Sequence, residues 1–372
     1  MNREIFLWQK ADWPHFSWDD SALVETLARV HKLQGQLAGS LSILGFDAQS
    51  KVQVDAITAE VQKSSEIEGE IINADSLRSS IARKLGVDIP DEGTTDHYVE
   101  GLVQVFMDAS IGFEKELTAE RIFGWHAALF PIGYSGSYRI TVADWRKGED
   151  AMQVISGPMG KEKIHYEAPP SSTVPLMMQD FLEWANGRQS IDPIVKAAIA
   201  HLWFVSIHPF DDGNGRLTRT ITDMFLARAD GMPQRYYSVS AQICKEKKAY
   251  YDILEKTQKG NLEVTSWLQW FVSIVEEALV YAIDKMQTTL KKHHYWQHFN
   301  TVSINERQKK IVNMLWDGFE GKLSTSKYSK IAKCSQDTAL RDLQDLVAKG
   351  MLQDSGEGGR STNYILREYE GI

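Results

Sequence analysis

Twelve consecutive residues, His208 to Arg219 (HPFDDGNGRLTR), leave the chain around them little conformational choice. Before them, Ile194, Ala197, Ala198, His201, Leu202 and Val205 recur at helical spacing from Pro193 to Ile207. Pro209 ends that helix, and the proline rule expects His208 to be extended. After Gly215, the residues Leu217, Ile221, Met224, Phe225 and Leu226 form the apolar side of a second helix. The turn therefore falls at a helix N-terminus, where free N–H groups and the helix dipole favour an anion.

The residue types in the turn suit phosphoryl or nucleotidyl transfer. His208 can take a proton near neutral pH. Asp211 and Asp212 offer hard oxygen ligands of the kind Mg²⁺ takes. Gly213, Asn214 and Gly215 can turn successive N–H groups towards an anion. Arg216 and Arg219, three apart on one helix face, carry planar forks that match phosphate oxygens. A solvated corner, with glycines that only cap and arginines paired to Asp211 and Asp212, explains each part singly but not the conjunction.

HPFDDGNGRLTR resembles the signature of the Fic family, HPFx(D/E)GNGRxxR, with every fixed position filled. Most of that family move AMP from ATP to a side-chain hydroxyl of a protein. The resemblance implies that His208 is the general base and that Asp212 holds the Mg²⁺ bridging the α- and β-phosphates. It implies that Gly213, Asn214 and Gly215 form the anion nest, that Arg216 meets the β- and γ-phosphates and that Arg219 meets the γ-phosphate. Phe210 would pack inward, and Asp211, at the variable position, has no assigned role. Such a reaction needs positioning, a base and charge neutralisation more than a covalent intermediate.

Earlier in the chain, Val52 to Glu66 reads as a helix ending in SSEIEGE, closed by Gly69. Acids at a helix C-terminus oppose the dipole, and such local inconsistencies gather at functional sites. Ser64, Glu68 and Gly69 fill the fixed places of the family's inhibitory pattern, (S/T)xxxE(G/N). The resemblance implies that Glu68 pairs with Arg219 and blocks the γ-phosphate. In some relatives the same glutamate aligns a water that removes AMP.

The remaining segments give a mainly α-helical chain of 372 residues, long enough for two or three domains. Aromatics open it (Phe6, Trp8, Trp13, Phe16, Trp18), and Ser17 is a candidate cap for a helix with Asp19 and Asp20 in its first turn. Helices are expected from Ala74 to Leu85, at 97–113, 118–130 and 173–186, from Arg216 to Ala229 before Pro233, and at 240–258 and 262–290. Residues 86–97 read as a loop. His126 reads as structural. Tyr138–Thr141, Met152–Gly157 and Ile164–Pro170 are β-prone. They resemble the family's flap, a hairpin that holds the target as an added strand, with Val154 and Ile155 as its contacts. Tyr250, Tyr251 and Gln258 fall where relatives place groups near the base; Tyr251 is the one assigned to ATP. No GxxxxGK[ST] is present.

KKHHYWQH (291–298) reads as an exposed helix end or hinge. Residues 304–368 resemble a winged helix, with a wing at SGEGGRST. Residues 305–350 carry nine Lys or Arg against six Asp or Glu, so Arg341 and Arg360 can meet DNA phosphate. Asp337, Asp342 and Asp345 on or beside the recognition helix oppose that reading, and a protein partner, including a second copy of the chain, fits as well. The net charge of −9 excludes a chain that coats nucleic acid with its whole surface. Two distant cysteines, Cys244 and Cys334, exclude a disulfide framework and point to a reducing cytoplasm. No run reaches membrane length.

The expected architecture is therefore an N-terminal helical domain with the inhibitory motif (1–90), a Fic-type helical core with a β-hairpin flap (97–290) and a small winged helix (304–368). The expected function is a protein adenylyltransferase that takes ATP and Mg²⁺, acts on a Ser, Thr or Tyr hydroxyl of a protein or of itself, and is held back by Glu68. The alternatives are a Fic enzyme with another phosphorylated donor, which Gly215 disfavours because kinase-like relatives carry Lys there, and a DNA-binding regulator whose core senses nucleotide.

Overall fold

A computed structural model describes residues 6–88, 96–157, 160, 161, 163–232, 235–319, 321–355 and 362–367. The chain divides into two units, Met1–Ile283 and Asp284–Ile372. In the first, α1 (Val24–Ile43), α2 (Phe46–Ile67), α3 (Ala74–Leu85), α4 (His97–Ile111) and α5 (Ala119–Leu129) precede two short hairpins. These are β1 (Tyr134–Ser135) with β2 (Tyr138–Arg139), and β3 (Gln153–Ser156) with β4 (Lys163–Glu167), both antiparallel. Then come α6 (Val174–Asn186), α7 (Pro193–Ile207), α8 (Asn214–Asp230), α9 (Val239–Lys245), α10 (Lys247–Gln258) and α11 (Thr265–His298), whose residues from Asp284 on belong to the second unit.

Helix α7 is the centre of this unit. Apart from Pro193 and Lys196 it is buried on all sides, not along one stripe, because α6, α8 and α11 each cover a face. Aromatic rings fill the α6 side, where Trp184 and Phe181 meet Trp203 at 5.2 and 5.7 Å. On the α11 side the Trp267 indole N–H donates to the Ala198 carbonyl at 2.9 Å. His201 is fully buried between the Thr222 hydroxyl at 2.9 Å and the Tyr250 hydroxyl at 3.0 Å. Burial there pushes its pKa down to about 3.

Several local expectations are corrected. Ser17 caps nothing: it bridges to Glu263, while Asp19 caps a short 3₁₀ turn, Asp20–Ala22. His208 is not extended but left-handed, at φ 52°, ψ 59°. Its N–H bonds the Phe204 carbonyl at 3.1 Å, so it closes α7 in the manner of a C-cap, and that bond outweighs the preference set by Pro209. The following helix starts at Asn214 rather than after Gly215, with Gly213 (φ 84°) as its N-cap. The stretch at 240–258 is two helices broken at Glu246. Tyr138 pairs with Ser135, so the flap strands are only β3 and β4. Pro233, residues 89–95 of the expected loop, and Arg360 with most of the expected wing lie outside the described residues.

In the second unit, KKHHYWQH is the end of α11 and not a hinge: Tyr295 is fully buried and donates to the Met351 carbonyl at 2.7 Å. Helices α12 (Glu306–Trp316), α13 (Thr325–Ala332) and α14 (Gln336–Ala348) and the hairpin β5 (Leu352–Asp354) with β6 (Tyr364–Leu366) enclose Ile311, Val312, Tyr328, Leu343 and Leu346. Of the acids on or beside α14, Asp342 turns inward, while Asp345 is paired but stays half-exposed. Asp342 is buried and accepts from Asn305 at 3.0 Å, Arg307 at 2.9 Å and the Tyr328 hydroxyl at 2.9 Å. Asp345 accepts from Gln308 at 2.7 Å and from Lys349. Among the described residues no helix is long and apolar enough to cross a membrane.

The buried neutral His201 makes stability depend on pH. A histidine whose folded pKa is depressed stabilises fully above its unfolded value, about 6.5, and the contribution is lost as pH falls towards the folded value of about 3. His201→Gln should therefore melt below wild type at pH 7.5, with the gap in Tm narrowing steadily from pH 6.5 to pH 4. A gap independent of pH in that window would contradict a neutral buried ring.

Candidate active site

The corner between α7 and α8 is tied together by its own side chains. The Phe210 N–H donates to the Asn214 amide oxygen at 3.0 Å, and the Asn214 amide N–H donates back to the Phe210 carbonyl at 2.8 Å. Phe210 is fully buried and stacks on His126 with ring centres 4.2 Å apart. His126 in turn donates from Nε2 to the Asp212 carbonyl at 3.1 Å and accepts the Ala143 N–H at 3.2 Å, so it is structural and neutral. Only glycine fits at 213, where φ is 84° and an added Cβ would lie 2.7 Å from the Phe130 ring.

His208 faces a cavity of about 400 Å³. Its Nδ1 meets the Val205 carbonyl at 3.3 Å, which favours the proton there and leaves Nε2 as acceptor. Burial, with help from the Arg146 charge, pushes its pKa down to about 4, against the opposing pull of the Val205 bond and of Glu68 and Asp212. Arg146 is itself buried. It holds the His208 carbonyl through Nε at 2.8 Å, the Pro209 carbonyl through its backbone N–H at 2.9 Å, and the Pro169 carbonyl through its other guanidinium nitrogen. Asp211 accepts the Thr141 N–H at 2.8 Å. Asp212 accepts the Gly213 N–H at 2.5 Å and the Ser135 hydroxyl.

The two arginines of α8 are almost wholly enclosed, at 5% and 3% side-chain exposure, and each meets the end of α2. Arg219 donates to the Ser64 hydroxyl, the Ser64 carbonyl and a Glu68 carboxylate oxygen, each at 2.8 Å. Arg216 donates to both oxygens of Glu70, at 2.9 and 3.0 Å, and to the Tyr98 hydroxyl at 2.8 Å. Gly69, at φ 85°, makes this possible. The N–H of Gly69 bonds Glu66 and that of Glu70 bonds Ser65, both at 3.0 Å, a Schellman closure that turns the chain so that both acids face α8. Any side chain at Gly215 would collide with Glu68.

Residues 116–226 match the family described as Fic/DOC, and residues 6–87 match a domain of unknown function, DUF4172. The chain carries a Fic domain. Curated relatives include the protein adenylyltransferase Fic of Drosophila grimshawi, 27% identical over 226 residues, which covers 58% of this chain and 41% of that protein. The protein adenylyltransferase Fic of Aedes aegypti is 36% identical over 89 residues, covering 23% of this chain and 17% of that one. The chain thus spans less than half the length of these relatives. Among solved structures, a Fic family protein from Desulfovibrio desulfuricans G20 superposes with a TM-score of 0.54 at 17% identity, covering 95% of this chain and 98% of that one. A Fic domain containing signaling protein from Bacteroides thetaiotaomicron VPI-5482 gives 0.52 at 18% identity over 71% and 97% of the two chains. These structures share the fold.

The cavity beside the Fic corner is lined from several elements. His208 and Gly215 come from the corner and Glu68 from the end of α2; Tyr251, Leu254 and Gln258 come from α10; Val154 and Ile155 come from β3. Tyr250 lines it too, but its hydroxyl meets His201, so it belongs to the core. Tyr251 is 40% exposed towards the cavity. Gln258 is buried, with its amide N–H on the Ser206 hydroxyl at 3.2 Å. Of the residues that the sequence assigned to ATP, base and inhibition, His208, Gly215, Glu68 and Tyr251 line one cavity, and Arg219 and Ser64 join Glu68 behind it. Sequence reasoning missed Glu70, Tyr98 and Arg146. Glu70 stood in the same acidic run as Glu68; Tyr98 and Arg146 gave no local signal.

Asn214 uses its side chain to close the loop. Asn214→Ala leaves a buried N–H and a buried carbonyl of Phe210 unpartnered, so it should cost about 2–4 kcal/mol in urea unfolding. Unfolding unchanged to within about 0.5 kcal/mol would contradict that role.

Proposed function

We propose that the protein transfers AMP from ATP to a Ser, Thr or Tyr hydroxyl of a protein, and that Glu68 holds this activity in check. The observation that carries the reading is the Glu68 carboxylate on Arg219, beside Gly215 and in the cavity that His208 lines. In this division of labour residues 1–90 restrain, 97–290 carry the chemistry and 304–368 meet a partner. The two cysteines are free, in keeping with a cytoplasmic setting.

The steps follow from the residues. The N–H groups at the start of α8 and the two guanidinium groups bind the triphosphate. For that, Arg219 must let go of Glu68 and Arg216 of Glu70. Asp212 is the carboxylate that would hold Mg²⁺; one carboxylate completed by phosphate oxygens and water is a donor set this ion accepts, and it would neutralise phosphate charge. A target segment can pair with the edge of β3 that is not bonded to β4 among the described residues, next to Val154 and Ile155. Neutral His208 takes the proton of the target hydroxyl through Nε2. The oxygen attacks the α-phosphorus in line, and pyrophosphate leaves. Arg146 holds the His208 backbone in its left-handed conformation during this step.

The test is label incorporation from α-labelled ATP with Mg²⁺ and a cell lysate as target. Glu68→Gly should label at least about tenfold faster than wild type, and adding His208→Ala should lower that rate by about 10²-fold or more. Equal labelling of wild type and Glu68→Gly would remove the inhibitory role. No labelling in any form would remove the transferase. Glu70→Ala alone should also raise the rate, because Glu70 neutralises Arg216.

The pH dependence has a definite sign. His208 is charged only below about pH 4 in the free protein, so the acidic limb of kcat/KM should fall well below the ordinary histidine value. A limb near pH 6.5 would contradict the enclosed, Arg146-facing ring.

A second reading has one observation in its favour. With Asp342 buried and bonded internally, α14 presents Gln336, Arg341 and Gln344 outward, beside exposed Asp337 and Leu340 and half-exposed, paired Asp345. That face suits DNA phosphate better than the sequence alone implied. A gel shift at physiological salt, lost in Arg341→Ala, would support it; no shift with wild type would remove it.

A further inference from the structure

A second hydroxyl, imidazole and carboxylate are aligned in the same cavity, outside the Fic corner. The Ser156 oxygen lies 2.5 Å from His165 Nε2, and His165 Nδ1 lies 2.5 Å from a Glu255 carboxylate oxygen. Ser156 ends β3, His165 is on β4 across the hairpin, and Glu255 is on α10. All three line the cavity that His208, Gly215 and Glu68 also line.

The order of the three groups fixes the direction of one hydrogen bond and, for a neutral ring, of the other. Glu255 also takes Lys163 and Lys259, each at 3.1 Å, on its other oxygen. Burial would raise its pKa, but the bonds from His165, Lys259 and Lys163 outweigh that and hold it at about 2. An ionised carboxylate only accepts, so Nδ1 must donate to it. In the neutral ring Nε2 is then the acceptor, and the Ser156 O–H donates to it. That is the polarity by which a base activates a hydroxyl. A plain strut between flap and α10 needs only His165 and Glu255. It gives no reason for an exposed hydroxyl on the other ring nitrogen, facing the chamber where phosphate is handled.

We propose that Ser156 is a nucleotidyl acceptor within the chain itself, with His165 as its base and Glu255 orienting the ring. This rests on the transferase reading above and names one substrate of the same centre. The Ser156 oxygen forms a bond to the α-phosphorus of a nucleoside triphosphate. The bond from that phosphorus to the oxygen bridging towards the β-phosphate breaks, and pyrophosphate leaves with the electron pair. The Ser156 proton moves to His165 Nε2, and Glu255 balances the imidazolium. Two acceptor positions then share one cavity: His208 serves a hydroxyl that arrives from outside, His165 the one built into the flap.

The experiment uses the full chain carrying Glu68→Gly, incubated with ATP and Mg²⁺, with and without lysate, followed by peptide mass mapping. One nucleotidyl group should appear on Ser156, at a rate per chain unchanged by tenfold dilution. Ser156→Ala should remove label from that peptide. His165→Gln should slow its labelling about 100-fold or more. Glu255→Gln, which keeps a partner for the ring without the charge, should slow it less. Labelled lysate proteins with Ser156 unlabelled would overturn this proposal and leave the transferase standing. Absence of label from both chain and lysate would overturn both. Label on Ser156 that falls with dilution, or that proceeds equally fast in His165→Gln, would overturn the relay.

Discussion

Two guanidinium groups buried in the opening turns of α8 must meet negative charge. Arg216 and Arg219 cannot lose their protons, and enclosing them without partners would cost several kcal/mol each. In this structure the partners come from within: Glu68 and Ser64 for Arg219, Glu70 and Tyr98 for Arg216. In the proposed mechanism a triphosphate at the start of α8 would offer the same kind of oxygen, and the end of α2 would stand in its place. The acids that oppose their own helix dipole are placed against the positive end of another helix, which resolves the inconsistency visible at SSEIEGE.

The rest of α2 shows how local any release must be. Glu60, two turns earlier, is buried and accepts the Ser238 hydroxyl at 2.8 Å and the Ser240 N–H at 3.0 Å, both at the start of α9. Its charge also helps burial push the Asp223 carboxyl on α8 well above the usual range. Glu60 and Glu68 are separated by about 12 Å along the helix. Freeing the arginines by withdrawing all of α2 would break this buried anchor as well. Rotating two carboxylates about the Schellman turn at Gly69 would not. Half-exposed side chains such as Glu68 and Glu70, at 33% and 38%, can make that movement.

Much of this was legible in the sequence, and the failures have physical causes. The corner could be read because proline, glycine and charged residues act locally and are crowded into twelve positions. The conformation of His208 could not be read from its neighbour alone. The rule for a residue before proline describes an isolated dipeptide, whereas here the bond to Phe204 and the Arg146 guanidinium decide. Asp342 was misjudged by residue type. Its spacing with Ala339, Leu343 and Leu346 already placed it on the inner face of α14, and the missing fact was that Arg307, Asn305 and Tyr328 wait there. Tyr98 and Arg146 reach the site across 118 and 62 residues of chain, a relation that no local pattern records.

Arg146 shows what those long-range contacts add. One buried side chain holds the carbonyl of His208 and the carbonyl of Pro169, while its own backbone N–H holds Pro209. Pro169 lies two residues beyond β4, the strand that pairs with β3, so the end of that hairpin and the backbone of His208 hang on the same guanidinium. A left-handed histidine persists only where its surroundings over-determine it. Here they do so through a group that also feels the position of the flap. In the proposed mechanism a target strand that seats on β3 and draws the hairpin with it would thereby act on the His208 backbone through one rigid guanidinium bonded to two backbone carbonyls, rather than through a chain of flexible contacts.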